Sequence, residues 1–195
     1  MGKFVVANDL YCCIVSKNNP ASNRAKKGWS EVYFRVMTPM VYTLRDITDM
    51  IKMYTGYTGK YGWSFENEYE PEKNFTCNDN DKMLDEIEFE KFKRNTPEIL
   101  CEYGQFKMTI GARGYKKYTK VYPTDFFGEG TFPTEDEIVL GVRLKDEYVV
   151  VSEEKGQEFL KKLQAHFKAK YKMTDEIVDA FYGEQNALVK KNCTT

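Results

Sequence analysis

One histidine, five cysteines and thirty acids bound the chemistry that this 195-residue chain can carry. His166 is the single histidine, so a His-rich metal site is excluded and any Ser-His-Asp or Cys-His arrangement would have to use it. It sits beside Phe167 in a lysine-rich stretch, which reads as a partly exposed structural position. Cys12, Cys13, Cys77, Cys101 and Cys193 contain no Cys-x-x-Cys spacing. That removes the ribbon-type zinc site and the thioredoxin-type redox site. The acids gather as a charge run, with ten between Glu66 and Glu90 against Lys73 and Lys82. Asp79-Asn80-Asp81 with Glu90 imitates a calcium loop, but Met83 and Leu84 stand where a ligand and a glycine are required. No metal and no cofactor is expected.

The best binding candidate is the stretch from Tyr54 to Trp63, in which Gly56, Gly59 and Gly62 recur three apart among aromatic residues. The spacing matches no dinucleotide fingerprint, and Gly59-Lys60 is followed by Tyr61 where a phosphate loop needs Ser or Thr. Two readings remain. One is a turn packed by its own tyrosines. The other is a binding loop in which Tyr54, Tyr57, Lys60, Tyr61 and Trp63 meet a partner, since tyrosine on a glycine-rich backbone offers stiff contact area on an adaptable frame.

A second candidate is basic. Lys116, Lys117, Tyr118 and Lys120 lie on one predicted strand with Arg113 in the turn before it, and Lys161, Lys162 and Lys168 on a predicted helix. Lysine with tyrosine can neutralise phosphates and stack bases. Lysine along a strand also guards a sheet edge against pairing, and the edge reading is the expected one.

Several elements must position these groups. Lys3–Ala7 and Leu10–Ser16 read as strands around an Asn8-Asp9 turn, and Trp29–Met37 as a half-buried strand with Val32, Phe34 and Val36 on one face. Thr43 with Asp46 opens a helix over Leu44–Tyr54. The 64–81 segment reads as irregular, and Asp81–Arg94 as one helix with Met83, Leu84, Ile87 and Phe92 inward. Strands follow at Glu98–Glu102, Gln105–Ile110 and Tyr115–Tyr122, separated by turns at Tyr103-Gly104 and Gly111–Gly114. After a loop at 123–133 come a β-hairpin over Glu137–Val151, a helix capped by Ser152 with Phe159, Leu160, Leu163, Phe167 and Tyr171 as its stripe, and a shorter helix from Thr174.

The expected architecture is α+β: a mainly antiparallel sheet, helices packed on one side, and a C-terminal hairpin followed by two helices. It forms a single domain over residues 1–183, with 123–133 as the place for any lobe boundary and 184–195 as a mobile tail. A net charge of −1 gives no global pull toward nucleic acid, and no apolar run approaches the ~20 residues of a membrane helix. With no signal-peptide pattern, a reducing cytoplasm is the expected setting. Abundant Lys, Asn, Tyr and Phe suit an AT-rich genome such as that of a low-GC bacterium, a phage or another virus. The functional expectation is a non-catalytic binding protein acting through protein–protein contacts, in one form a virus- or mobile-element-encoded inhibitor of a host or defence enzyme. The alternatives are a nucleic-acid binder using the Lys/Tyr-rich strand and the basic helix, and a small metal-assisted hydrolase built on carboxylates.

Overall fold

Phe34 and Val36 alternate with Tyr33 and Arg35, and Leu10 and Cys12 flank Tyr11; this period of two becomes two neighbouring strands with one face buried. In the computed structural model, residues 5–16, 32–39, 42–118, 123–129, 132–140 and 151–171 are described. They contain strands β1 (Val5–Ser16), β2 (Val32–Pro39), β3 (Trp63–Glu66), β4 (Phe75–Cys77), β5 (Glu98–Tyr103), β6 (Phe106–Tyr118) and β7 (Thr124–Glu129). The α-helices are α1 (Leu44–Thr55), α2 (Met83–Glu86), α3 (Phe89–Phe92), α4 (Glu135–Leu140) and α5 (Glu153–Tyr171). All strands join one sheet in the order β4-β3-β5-β6-β1-β2-β7, and every pairing is antiparallel. The α+β fold class is the one expected.

Register explains which face is buried. Phe34, Cys12, Ile110 and Ile99 pair successively across β2, β1, β6 and β5, and all four are buried. Helices cover this face. Tyr54 of α1 packs 4.8 Å from Phe34 and 5.2 Å from Phe159 of α5, while Phe92 of α3 meets Phe65 and Phe75 edge-on. Leu160, Leu163 and Phe167 of the expected α5 stripe are buried, with Phe159 and Tyr171 half-buried at its margins. No helix among the described residues is long and apolar enough to cross a membrane.

Several elements differ from the sequence reading, each for a physical reason. Asn8-Asp9 is no turn; β1 runs through it, and the register shift there is a β-bulge that absorbs the extra residue. Gly111–Gly114 is likewise inside β6, because twelve positions of β1 pair along that strand. The basic strand is therefore interior in the sheet order rather than at an edge. The 64–81 segment holds β3 and β4, and the 123–133 loop contains β7, paired with β2. The single helix expected over Asp81–Arg94 is two one-turn helices. At Ile87-Glu88 the chain is extended, because Leu44 N–H donates to the Ile87 carbonyl and Phe89 N–H to that of Tyr42. That break rotates Phe89 inward and leaves Met83 exposed. Residues 135–140 are helical where the first strand of the C-terminal hairpin was expected, with Thr134 Oγ1 accepting from Glu137 N–H at the helix start. The remaining hairpin positions 141–150, the helix from Thr174 and the tail 184–195 lie outside the described residues.

Candidate functional site

The loop after α1 is built by its glycines. Gly56 caps the helix in the left-handed region (φ 79°) and donates to the Lys52 carbonyl at 2.8 Å. Gly59 (φ 87°) leaves room for Asp79, whose Cγ would lie 2.3 Å from a Cβ placed there. Gly62 (φ 66°) closes the turn by donating to Gly59 O and runs against the Cys77 carbonyl. With the backbone wound this way, most of the rings turn inward. Tyr57 is buried, stacked 5.1 Å from Tyr103, and donates its hydroxyl to Pro133 O at 2.8 Å. Trp63 is buried against the same Tyr103, and Tyr54 is half-buried among Phe34, Phe126, Phe132 and Phe159. Burial, first, and the nearby Cys12 push the Tyr54 phenol up to about 12. Of the five candidates only Lys60 and Tyr61 are exposed; Tyr61 is 36% exposed, with its ring edge-on to Tyr103.

Two carboxylates pin this loop. Glu135, from α4, accepts from Thr58 N–H and Thr58 Oγ1 at 2.9 Å and from the Tyr103 hydroxyl. Tyr103 in turn accepts from Gly59 N–H at 2.9 Å, and Lys60 Nζ lies 3.6 Å from Glu135. Asp79 accepts from Trp63 Nε1 and from Lys52 Nζ, both at 2.8 Å, with Arg45 at 4.0 Å. Partial burial works against ionisation of both carboxyls. The hydrogen bonds and neighbouring cations outweigh it, holding Asp79 below 3.8 and Glu135 below 4.5. Burial, and then the bond to Glu135, raise the Tyr103 phenol well above its ordinary value. Tyr103, Glu135 and Asp79 were not candidates from sequence. Each acts from a distant segment, and no local spacing marks them.

The other candidates are dispersed. Arg113, Lys116, Lys117 and Tyr118 fall in β6, in register with Asp9, Ala7, Val6 and Val5, and Lys120 lies outside the described residues. Lys161, Lys162 and Lys168 are exposed on α5, and Lys162 pairs with Glu158 at 3.0 Å. His166, on the same helix, lies 3.5 Å from Asp49 of α1. Cys12, Cys77 and Cys101 are buried free thiols; burial, followed by Asp81, raises Cys77 to about 11. Among the described residues no group of three or more His, Cys, Asp or Glu side chains could hold a metal ion. A groove of about 260 Å³ lies between β7 and the start of α5, lined in part by Phe126, Phe127, Gly128, Val151 and Gly156.

No family model matches the chain, and comparison with curated proteins finds no match. Among solved structures the chain is similar to a protein of unknown function, MM3350, from Methanosarcina mazei Go1. Identity is 14%, the alignment covers 70% of this chain and 76% of that one, and the TM-score is 0.49. That likeness says nothing of what this chain does.

What the loop offers chemically is a fixed surface turn. Its main chain is held at Thr58, Gly59 and Gly62, while an ammonium, a phenol ring and the almost fully exposed Asp136 stand beside one another at the surface.

Proposed function

We propose that the chain is a non-catalytic binding protein that docks a protein partner through the turn Thr58–Tyr61. One observation carries this reading: Tyr61 and Lys60 are displayed on a backbone that Tyr103 and Glu135 hold in place. A contact surface already rigid before association loses less conformational entropy on binding, so a small epitope gains affinity. Tyrosine supplies contact area with few rotatable bonds, and the neighbouring Lys60 and Asp136 supply charge of both signs for orientation. The role of inhibitor of a host or defence enzyme, encoded by a virus or mobile element, is the form of this reading that the AT-rich composition favours. Buried free thiols at Cys12, Cys77 and Cys101 suit a reducing compartment such as the cytoplasm.

The test is quantitative capture from the native cytosol with the full chain and two variants. Tyr61→Ala should lose the co-purifying protein, whereas Tyr69→Ala, which removes another exposed ring (62% exposed) outside this turn, should retain it. A one-to-one complex by light scattering is the expected stoichiometry. Equal capture by all three proteins would sink this assignment.

A further inference from the structure

The turn at Thr58–Tyr61 is held by one short helix, α4. Six residues close too few backbone bonds for α4 to be stable alone, so its hold on the molecule comes from its side chains. Glu135 accepts from Thr58 N–H, Thr58 Oγ1 and the Tyr103 hydroxyl. Lys60 Nζ pairs with Glu135 and lies 4.0 Å from Asp136. Among the described residues, every hydrogen bond and ion pair from an α4 side chain to another element ends on Thr58, Lys60 or Tyr103.

Ile138 is the apolar counterpart of Glu135. It is fully buried and stands three residues further along the helix, on the same side. Its seat is Gly104, in the short connection between β5 and β6. Gly104 adopts a φ of 58°, and a Cβ there would lie 2.4 Å from Ile138 Cγ2 and 3.5 Å from Tyr61 Cδ2. The missing side chain serves two neighbours at once. It lets Ile138 settle on the hairpin and lets the Tyr61 ring lie alongside. Tyr103, the residue before, meets the same ring edge-on at 5.4 Å and bonds both Gly59 N–H and Glu135.

We propose that α4 is a latch on this turn, with Gly104 and Ile138 as the positioning residues that keep Tyr61 on display. Seated on Gly104, Ile138 keeps Glu135 within reach of Thr58 and Tyr103. Lifted off, α4 takes away the acceptor that fixes the main chain at Thr58. Two anchors on one short helix are made or lost together, so helix and turn open as one unit. This latch rests on the reading of Thr58–Tyr61 as the docking turn, and supplies the means of withdrawing it. A molecule that captures α4 away from Gly104 weakens docking at Tyr61, and docking weakens that capture by the same factor.

Residue-resolved hydrogen exchange of the full-length protein tests the latch without any partner. The amides to follow are Thr58 and Gly59, which donate to Glu135 and Tyr103, against Gly56, which donates to the Lys52 carbonyl at the end of α1. Ile138→Ala should speed exchange at Thr58 and Gly59 by about tenfold or more, since truncating a buried isoleucine costs at least that factor in local stability. Gly104→Ala should do the same through its left-handed φ and its clash with Ile138. Ile138→Val, which keeps Cγ2, should move these amides less. Gly56 should stay within about twofold of the parent in all three, because opening at the α1 cap breaks no contact of α4. Circular dichroism confirms that each variant is folded. Parental exchange at Thr58 and Gly59 in folded Ile138→Ala and Gly104→Ala proteins, or acceleration of Gly56 by the same factor, would overturn the latch. Capture retained by Tyr61→Ala would remove the docking turn and leave these rates untouched, so the two failures are distinguishable.

Discussion

Asp79 fastens three successive parts of the chain that precede it: Arg45 and Lys52 on α1, the glycine at position 59, and Trp63 on β3. Its carboxyl and that of Glu135 have folded pKa values lowered beneath 3.8 and 4.5. A group lowered in this way adds stability at pH above its unfolded value and loses it as pH falls toward the folded value. Urea midpoints should therefore be flat from neutral pH to about 5 and decline below about pH 4. Asp79→Asn should flatten part of that decline while lowering the plateau, which unfolding curves across the range would show. At this scale the sequence was half legible. Glycines three apart announced a turn, and aromatic residues around it announced packing. Which rings go inward depends on Tyr103, Pro133 and Asp79, all supplied by other segments, so nothing local could separate Tyr57 and Trp63 from Tyr61.

Among the elements, α1 was read most faithfully, because its start depends on neighbours in sequence. Thr43 and Asp46 form a reciprocal capping box, with Asp46 Oδ2 accepting from Thr43 N–H at 2.9 Å. Asp46 does more than cap. It is fully buried and also accepts from Lys170 and the Tyr171 hydroxyl, so it fastens α5 to α1. Thr43→Ala should cost about 1 kcal/mol, the usual loss for a cap. Asp46→Ala should cost about 2 kcal/mol or more, because it removes the cap and also the buried acceptor of the Tyr171 hydroxyl. Urea denaturation of the two variants checks the ordering. The α2–α3 region was misread for the complementary reason. Its apolar spacing suits one helix, yet two backbone bonds to the 42–44 segment pull Ile87-Glu88 into an extended conformation. The α4 segment shows the same limit in reverse, since its short apolar run, Ile138-Val139-Leu140, has no periodicity that separates strand from helix.

Across the whole molecule, the antiparallel sheet with helices on one face was legible from alternation and from the apolar stripe of α5. Strand order was not. Neighbouring strands in sequence usually pair, and β5–β6 and β1–β2 obey that rule, but β1 also lies against β6. Alternation specifies a face and carries no address for the partner strand. Because β1 and β6 are each paired on both sides, their amides should exchange slowest with deuterium, and those of the border strands β4 and β7 faster. Residue-resolved exchange at neutral pH measures that gradient directly.

The β1–β6 pairing also constrains how the chain is made. β1 finds β2 within a few tens of residues, but its other edge waits for residues 106–118, which a ribosome releases much later. Throughout that interval the nascent N-terminal hairpin has an open row of backbone donors and acceptors, and closing so distant a pair is slow. A holdase chaperone would therefore meet this protein early in synthesis, and its hold should slacken once Tyr118 has cleared the exit tunnel.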